Sequence, residues 1–137
     1  MGFCGSWSVR RRVLDARTGQ VTRFEGTALI SPLRFAESGL VHHGGQTFAA
    51  SRRYRLIFGE REIQVFFPDG RPFIALAHAS AQRVQHICGE DRYRGRFLFA
   101  DADLWTESWS VLGPRKDYRS LARYRRIAPS DPSCPGE

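Results

Sequence analysis

Apolar and polar residues alternate along most of this chain, and the alternation predicts strands. Trp7, Val9 and Val13 share one parity while Ser6, Ser8, Arg10 and Arg12 take the other, the pattern of a half-buried strand. Asp15 to Gly19 reads as a hairpin turn, because Asp and Gly suit turn geometry. A second strand follows, with Phe24, Gly26, Ala28 and Ile30 against Arg23, Glu25 and Thr27. A third segment around Gly39 to His42 ends at the His43-Gly44-Gly45 turn. Tyr54, Leu56 and Phe58 then alternate with Arg53 and Arg55, and Ile63, Val65 and Phe67 with Glu62 and Gln64. Pro68-Asp69-Gly70-Arg71-Pro72 reads as a loop, since two prolines cannot serve a central ladder.

The later segments repeat the pattern. Tyr93, Gly95, Phe97 and Phe99 oppose Arg92, Arg94 and Arg96, and Trp105, Glu107, Trp109 and Val111 oppose Thr106, Ser108 and Ser110. Gly113-Pro114 precedes a last strand, roughly Arg119 to Ile127. No amphipathic helix is expected, and Ser80 to Val84 is read at most as a short turn. Eight to ten strands with hairpin-length connections predict an all-β domain, either a sandwich or a closed barrel. We take the antiparallel up-and-down barrel, because closure removes exposed edges.

Length and composition bound this picture without changing it. A chain of 137 residues fits one domain, expected over 1–128 with a disordered Pro- and Ser-rich tail at 129–137. No apolar run reaches the ~20 residues of a membrane helix, and no secretory leader pattern opens the chain. The net charge is +7 and Lys116 is the only lysine, so the basic residues are nearly all arginine. The arginines are dispersed within strand patterns, as on a solvated strand face, so neither nucleic acid nor membrane is expected as a partner. Cys4, Cys88 and Cys134 are odd in number and widely spaced. That predicts a reduced, cytoplasmic setting without a disulfide framework.

Gly5-Ser6-Trp7 resembles the Gly-x-Trp start of lipocalins and related calycins. With Gly26-Thr27-Ala28, Asp69-Gly70-Arg71-Pro72-Phe73, His86-Ile87-Cys88 and Gly113-Pro114-Arg115-Lys116-Asp117-Tyr118, it resembles one uncharacterised lipocalin-like family of unknown function over about Gly2 to Ile127. The resemblance implies a lipocalin-like barrel in which Trp7 plugs the closed end and a last-strand Arg, here Arg126, packs across it as a cation–π partner. It implies no activity.

Several residues carry candidate chemistry. Glu107 shares parity with Trp105 and Trp109, so it is expected inside the barrel, where a carboxylate must be paired or its pKa must rise. It is read either as an acid/base or anchor for a ligand cation, or as half of an internal salt bridge with an inward Arg. His86 and Cys88 share a strand face; with His78 or His42-His43 they suggest a weak zinc pattern, but a hydrogen-bonded histidine beside a packed thiol is preferred and no metal is assigned. Arg115 and Lys116 on the Gly-Pro loop could clamp a carboxylate or phosphate, or the loop is a structural turn with Tyr118 closing the barrel.

The favoured function is a small-molecule-binding barrel with its ligand held among Trp105, Trp109, Phe97, Glu107 and His86, with Arg115 and Lys116 nearby. One alternative is an enzyme of the same barrel using His86 or Glu107 as general acid/base. The other is a barrel without a cavity, working by protein contact through its basic outer strands. No cofactor fingerprint is present, so no cofactor is assigned, and the oligomeric state is not legible. A lumen of several hundred Å³ would favour the first two readings and a filled interior the third.

Overall fold

The computed structural model describes residues 2–128, and the tail expected at 129–137, with Cys134, lies outside the described residues. Ten strands carry the chain: β1 (Gly5–Asp15), β2 (Val21–Ser31), β3 (Arg34–His43), β4 (Gln46–Phe58), β5 (Glu62–Phe66), β6 (Pro72–Ala77), β7 (Ala81–Cys88), β8 (Asp91–Asp101), β9 (Leu104–Gly113) and β10 (Lys116–Ala128). They form one antiparallel sheet in the order β6-β5-β4-β3-β2-β1-β10-β9-β8-β7. Every strand thus lies beside a chain neighbour, and β1 meets β10, where it spans Trp7↔Arg126 to Asp15↔Tyr118. The sheet curls until its ends, β6 and β7, touch without sharing a ladder. The fold is therefore a nearly closed, all-β up-and-down barrel. No helix among the described residues is long and apolar enough to cross a membrane.

Alternation places most strands as read, but β6 was not anticipated, and two further differences stand out. Strands β3 and β4 run 10 and 13 residues, longer than the apolar pattern suggested, because Glu37 and Arg52 occupy inward positions and interrupt it. Ser80–Val84 is no helical turn: Ala81 begins β7. Pro72 opens β6, a first position where a missing N–H costs no ladder bond. The turn after β1 forms on Asp15, whose Oδ1 accepts the Arg17 amide at 2.9 Å and whose carbonyl accepts that of Gly19 at 2.8 Å.

One end of the barrel is sealed by residues 2–4 and Trp7. Phe3 and Trp7 are buried, and the Trp7 indole donates to the Phe3 carbonyl at 3.0 Å. The Arg126 guanidinium lies 4.3 Å from the centre of the Trp7 ring and donates to the carbonyls of Gly2, Cys4 and Ala102 at 2.6, 2.8 and 2.8 Å. Arg126 thus ties β10 to the N-terminal segment as well as covering the indole. Cys4 is fully buried and disulfide-bonded, which corrects the expectation of no disulfide; Cys88 is exposed and free.

Between β2 and β3 the backbones approach closely at Gly26 and Gly39, which face each other in register. A Cβ on Gly26 would lie 2.1 Å from the Ser38 carbonyl oxygen, and one on Gly39 would lie 2.1 Å from that of Glu25. Both obstacles are backbone, so neither can rotate away.

Two stability outcomes follow. Trp7→Ala is expected to cost ~3–5 kcal/mol, as for emptying a large buried aromatic site; a melting temperature within a couple of degrees of wild type would refute the plug. Gly26→Ala is expected to cost ~1–3 kcal/mol from overpacking, read by urea denaturation, and an unchanged midpoint would show that the strands can part freely.

Candidate functional site

Inside the barrel, the inward parity of five strands delivers polar groups to one point. Arg11 of β1, Glu37 of β3, Arg52 of β4, Glu107 of β9 and Tyr124 of β10 converge there. Glu37 accepts two bonds from Arg11, both at 2.9 Å, and one from Arg52 Nε at 2.9 Å. Arg52 Nη2 donates to Glu107 Oε1 at 2.6 Å, and Arg11 Nη2 lies 3.6 Å from the same oxygen. The Tyr124 hydroxyl donates to Glu37 at 2.6 Å while accepting from both arginines at 2.9 Å. Glu37 and Glu107 are 3% and 5% exposed, and two half-buried arginines neutralise these two buried charges.

Burial and partners oppose one another across this cluster. Burial alone would raise the Glu37 carboxyl, but the Arg11 bonds and the Arg52 charge outweigh it and leave the group below its ordinary value. Burial, then the charge of Glu107, pushes the Tyr124 hydroxyl well up, so it stays protonated as a donor. Burial likewise raises Tyr54. For Arg52, burial opposes the charged form, but the attraction of Tyr124 and Glu107 prevails and holds its pKa above the ordinary arginine value.

Beside the cluster lies a cavity of about 30 Å³, lined by Arg52, Glu107, Phe73, Phe97, Trp105 and Trp109 among others. That is room for about one water, so the expected lumen of several hundred Å³ is absent and aromatic side chains fill the interior. Trp105 stacks on Tyr124 with centroids 3.7 Å apart and planes 3° from parallel. Phe97 stacks on Trp105 at 6.1 Å and meets Trp109 edge-on at 6.0 Å. Phe73 is sandwiched between Tyr54 at 5.3 Å and Trp109 at 5.5 Å. The Trp105 Nε1 is the one buried side-chain nitrogen or oxygen among the described residues without a hydrogen-bond partner.

His86 and Glu107 do not meet there. His86 faces inward from β7 but packs among Phe67, Phe73 and Tyr93 at 5.4, 5.2 and 5.9 Å, at the seam between β6 and β7. Only Phe73 bridges the two places, touching His86 and lining the cavity. At the other end of that seam Gln82 closes the turn, its amide bonding the Ala77 N–H at 2.7 Å and the Ala77 carbonyl at 2.8 Å.

The Gly113–Tyr118 loop shrinks to a two-residue connection at Pro114-Arg115, with Lys116 already in β10. Lys116 is engaged by Asp91 at 3.1 Å and by the Tyr93 hydroxyl at 2.9 Å, contacts that favour its charged form. Arg115 is exposed, and its carbonyl accepts from Arg17. Of the two readings of this segment, the structural turn is the one these contacts fit, since Lys116 is held by Asp91 and Tyr93 rather than left open to an anion. Burial, with Tyr93 alongside, pushes the half-buried Tyr118 up to about 12. The histidines are dispersed: His42 on Thr47 and Glu25, His43 on Thr22, His78 on the Gly59 carbonyl. Among the described residues no three potential ligands cluster for a metal.

Glu107 was legible from parity, while Arg11, Glu37 and Arg52 were missed. The signal was present: Arg11 stands between Val9 and Val13, and Arg52 two before Tyr54, each at the inward parity.

Removing one member of a buried ion cluster leaves the others uncompensated. Glu37→Gln is expected to cost ~3–5 kcal/mol at neutral pH. Because the folded carboxyl titrates below its ordinary value of 4.5, its contribution is complete above that pH and is lost as pH falls through the folded value. The melting temperature of Glu37→Gln should therefore fall less than that of wild type on acidification from pH ~6 to ~3. Parallel acid slopes would show that Glu37 is not the titrating partner.

The fold recurs at low sequence identity. The S-type phycobiliprotein lyase CPES from Guillardia theta superposes with a TM-score of 0.65 at 12% identity, over 92% of this chain and 89% of that one. A protein of unknown function from the DUF3598 family of Nostoc punctiforme superposes with a TM-score of 0.61 at 11% identity, over 92% of this chain and 48% of that one; the chain spans about half its length. At such identities the likeness is one of fold alone. No curated protein matches the chain. A family model, by contrast, matches residues 3–126, and the chain belongs to that family, the Family of unknown function (DUF6314).

Proposed function

We propose that the protein binds one small molecule inside its barrel, reached through the seam between β6 and β7. The reading rests on the indole N–H of Trp105: a buried donor without a partner costs ~1–3 kcal/mol, and its ring lines the cavity beside Arg52 and Glu107. An acceptor on a ligand would satisfy it. Such a ligand needs more than about 30 Å³, so Phe73 must leave its place between Tyr54 and Trp109. No ladder bonds join β6 to β7, so that movement breaks no backbone pairing. A flat, partly aromatic molecule carrying an acceptor fits these walls, since it would replace the Phe73 ring in the stack. One relative in fold is named as a phycobiliprotein lyase, which supports a use of this barrel beyond packing.

Glu107 changes role within this reading. Its bond to Arg52 makes it a structural partner, so Glu107→Gln should cost stability, whereas Trp109 and His86 line the path that the ligand takes. The small cavity favours a second reading, the packed barrel that works through its outer surface. The cytoplasmic location expected from reduced cysteines loses that support, because Cys4 is disulfide-bonded and disulfides are rare in the cytosol.

Native mass spectrometry of the freshly purified protein tests the proposal. The expected result is a species heavier than the polypeptide by one small molecule, retained by wild type and lost in Trp109→Ala with the fold intact by circular dichroism. Bare polypeptide mass in every preparation, with tryptophan fluorescence unmoved by a library of aromatic metabolites, would sink it.

A further inference from the structure

The outer face of β7, β8, β9, β10, β1 and β2 carries ten exposed arginines: Arg83 on β7; Arg92, Arg94 and Arg96 on β8; Arg119, Arg123 and Arg125 on β10; Arg10 and Arg12 on β1; and Arg23 on β2. None forms an ion pair among the described residues. The outward carboxylates along these strands are Glu25, paired with His42 at 3.2 Å, Asp117, and Asp101 at the end of β8 beyond its bulge. Register sets like charges directly opposite each other at Arg83↔Arg96, Arg10↔Arg123 and Arg12↔Arg23. Such pairs are destabilising in a sheet. Arg10 also stands opposite Glu25, but no carboxylate stands opposite Arg83 and Arg96 or Arg12 and Arg23, so those two pairs hold repulsion that their ladder neighbours do not relieve.

One ladder row shows the composition. It runs Arg83, Arg96, Ser108, Leu121, Arg12, Arg23 across six strands, about 24 Å at the usual strand spacing. Exposed apolar side chains lie between the arginines: Leu121 at 57%, Leu112 at 59%, Leu98 at 49% and Ile87 at 58% exposure. A cleft of about 860 Å³ opens over this face, lined by Arg83, Arg94, Arg96, Arg119 and Leu121.

We propose that this face docks an acidic protein partner. It rests on the reading that the outer surface does work, and adds which wall does it and what it recognises. Paired carboxylates would relieve the arginine repulsion, with the guanidinium fork matching a carboxylate bidentately. The leucines choose among polyanions. A nucleic-acid backbone offers them no apolar complement, no aromatic residue has outward parity on these strands, and Trp109, the aromatic that lines the cleft, is already stacked on Phe73 rather than presented to a base. A protein segment bearing both carboxylates and apolar side chains satisfies the arginines, the leucines and the cleft together, and arginine with exposed apolar residues is interface composition.

The test compares two double variants of equal charge change. Arg12→Glu/Arg96→Glu alters the proposed face, and Arg34→Glu/Arg55→Glu alters an opposed arginine pair on β3 and β4. Each is titrated by fluorescence anisotropy, at about 0.15 M salt, with a labelled Glu-rich peptide carrying Leu at every fourth position. Duplex DNA and phosphatidylserine vesicles are titrated in parallel. The expected result is peptide binding by wild type, weakened about tenfold or more by Arg12→Glu/Arg96→Glu and less than threefold by the control. The melting temperature of Arg12→Glu/Arg96→Glu should match or exceed wild type, because like-charge pairs are relieved; a loss beyond a few degrees overturns the account of unrelieved repulsion. Equal weakening by both doubles would reduce the face to net charge and overturn it. Tighter binding of DNA or vesicles than of peptide overturns the protein assignment while leaving a working outer surface; binding of nothing overturns both.

Discussion

Everything inside this barrel is arranged around two carboxylates that cannot reach water and the two arginines that answer them. Two arginines and two glutamates from β1, β3, β4 and β9 meet at one point, with a tyrosine hydroxyl from β10 between them. A cluster of this kind adds little net stability over a well-packed apolar core, because desolvation consumes most of the Coulombic gain. Its effect lies in register. A one-residue slip of β1, β3 or β4 would carry its charge to the outer face and strand the remaining charges inside. The close passage of Gly26 and Gly39 sets the approach of β2 to β3 as tightly, by exclusion rather than attraction.

That constraint also decides where function can reside. Glu107 faces the interior, but its oxygen is already held by Arg52, so it is not a free base. His86 faces the interior too, yet aromatic rings hold it at the seam. Under the proposed reading a ligand would enter the small space between the ion cluster and the aromatic stack, beside the indole N–H of Trp105. The seam is the one place in the sheet order where movement breaks no backbone bond.

Arginine plays two roles in the same strands. Inward ones, Arg11 and Arg52, are held by the buried glutamates and Tyr124; outward ones at adjacent positions, Arg10, Arg12 and Arg53, are free of ion pairs among the described residues. Parity alone separates them, since a strand turns successive side chains to opposite faces. The chain's basic charge is thus mostly a property of its exterior, and an acidic partner would meet a continuous wall of it.

Alternation by itself determined the fold class, most strand positions and the inward facing of Glu107, because period two is local and each strand writes it independently. The turn residues Asp15, Gly19 and the Pro68–Pro72 run set most of the connections for the same reason. The resemblance of Gly5-Ser6-Trp7 implied the plug, and the bulge between Ser6 and Trp7 sets Trp7 opposite Arg126. Only the tertiary structure decided which residues answer Glu107, because Arg11, Glu37 and Arg52 come from strands far apart in the chain and each breaks its own strand's apolar pattern. The absence of a wide lumen was likewise beyond the sequence. Aromatic residues at inward positions can line a cavity or fill it, and the choice depends on how rings from β4, β6, β8 and β9 stack once the sheet has closed.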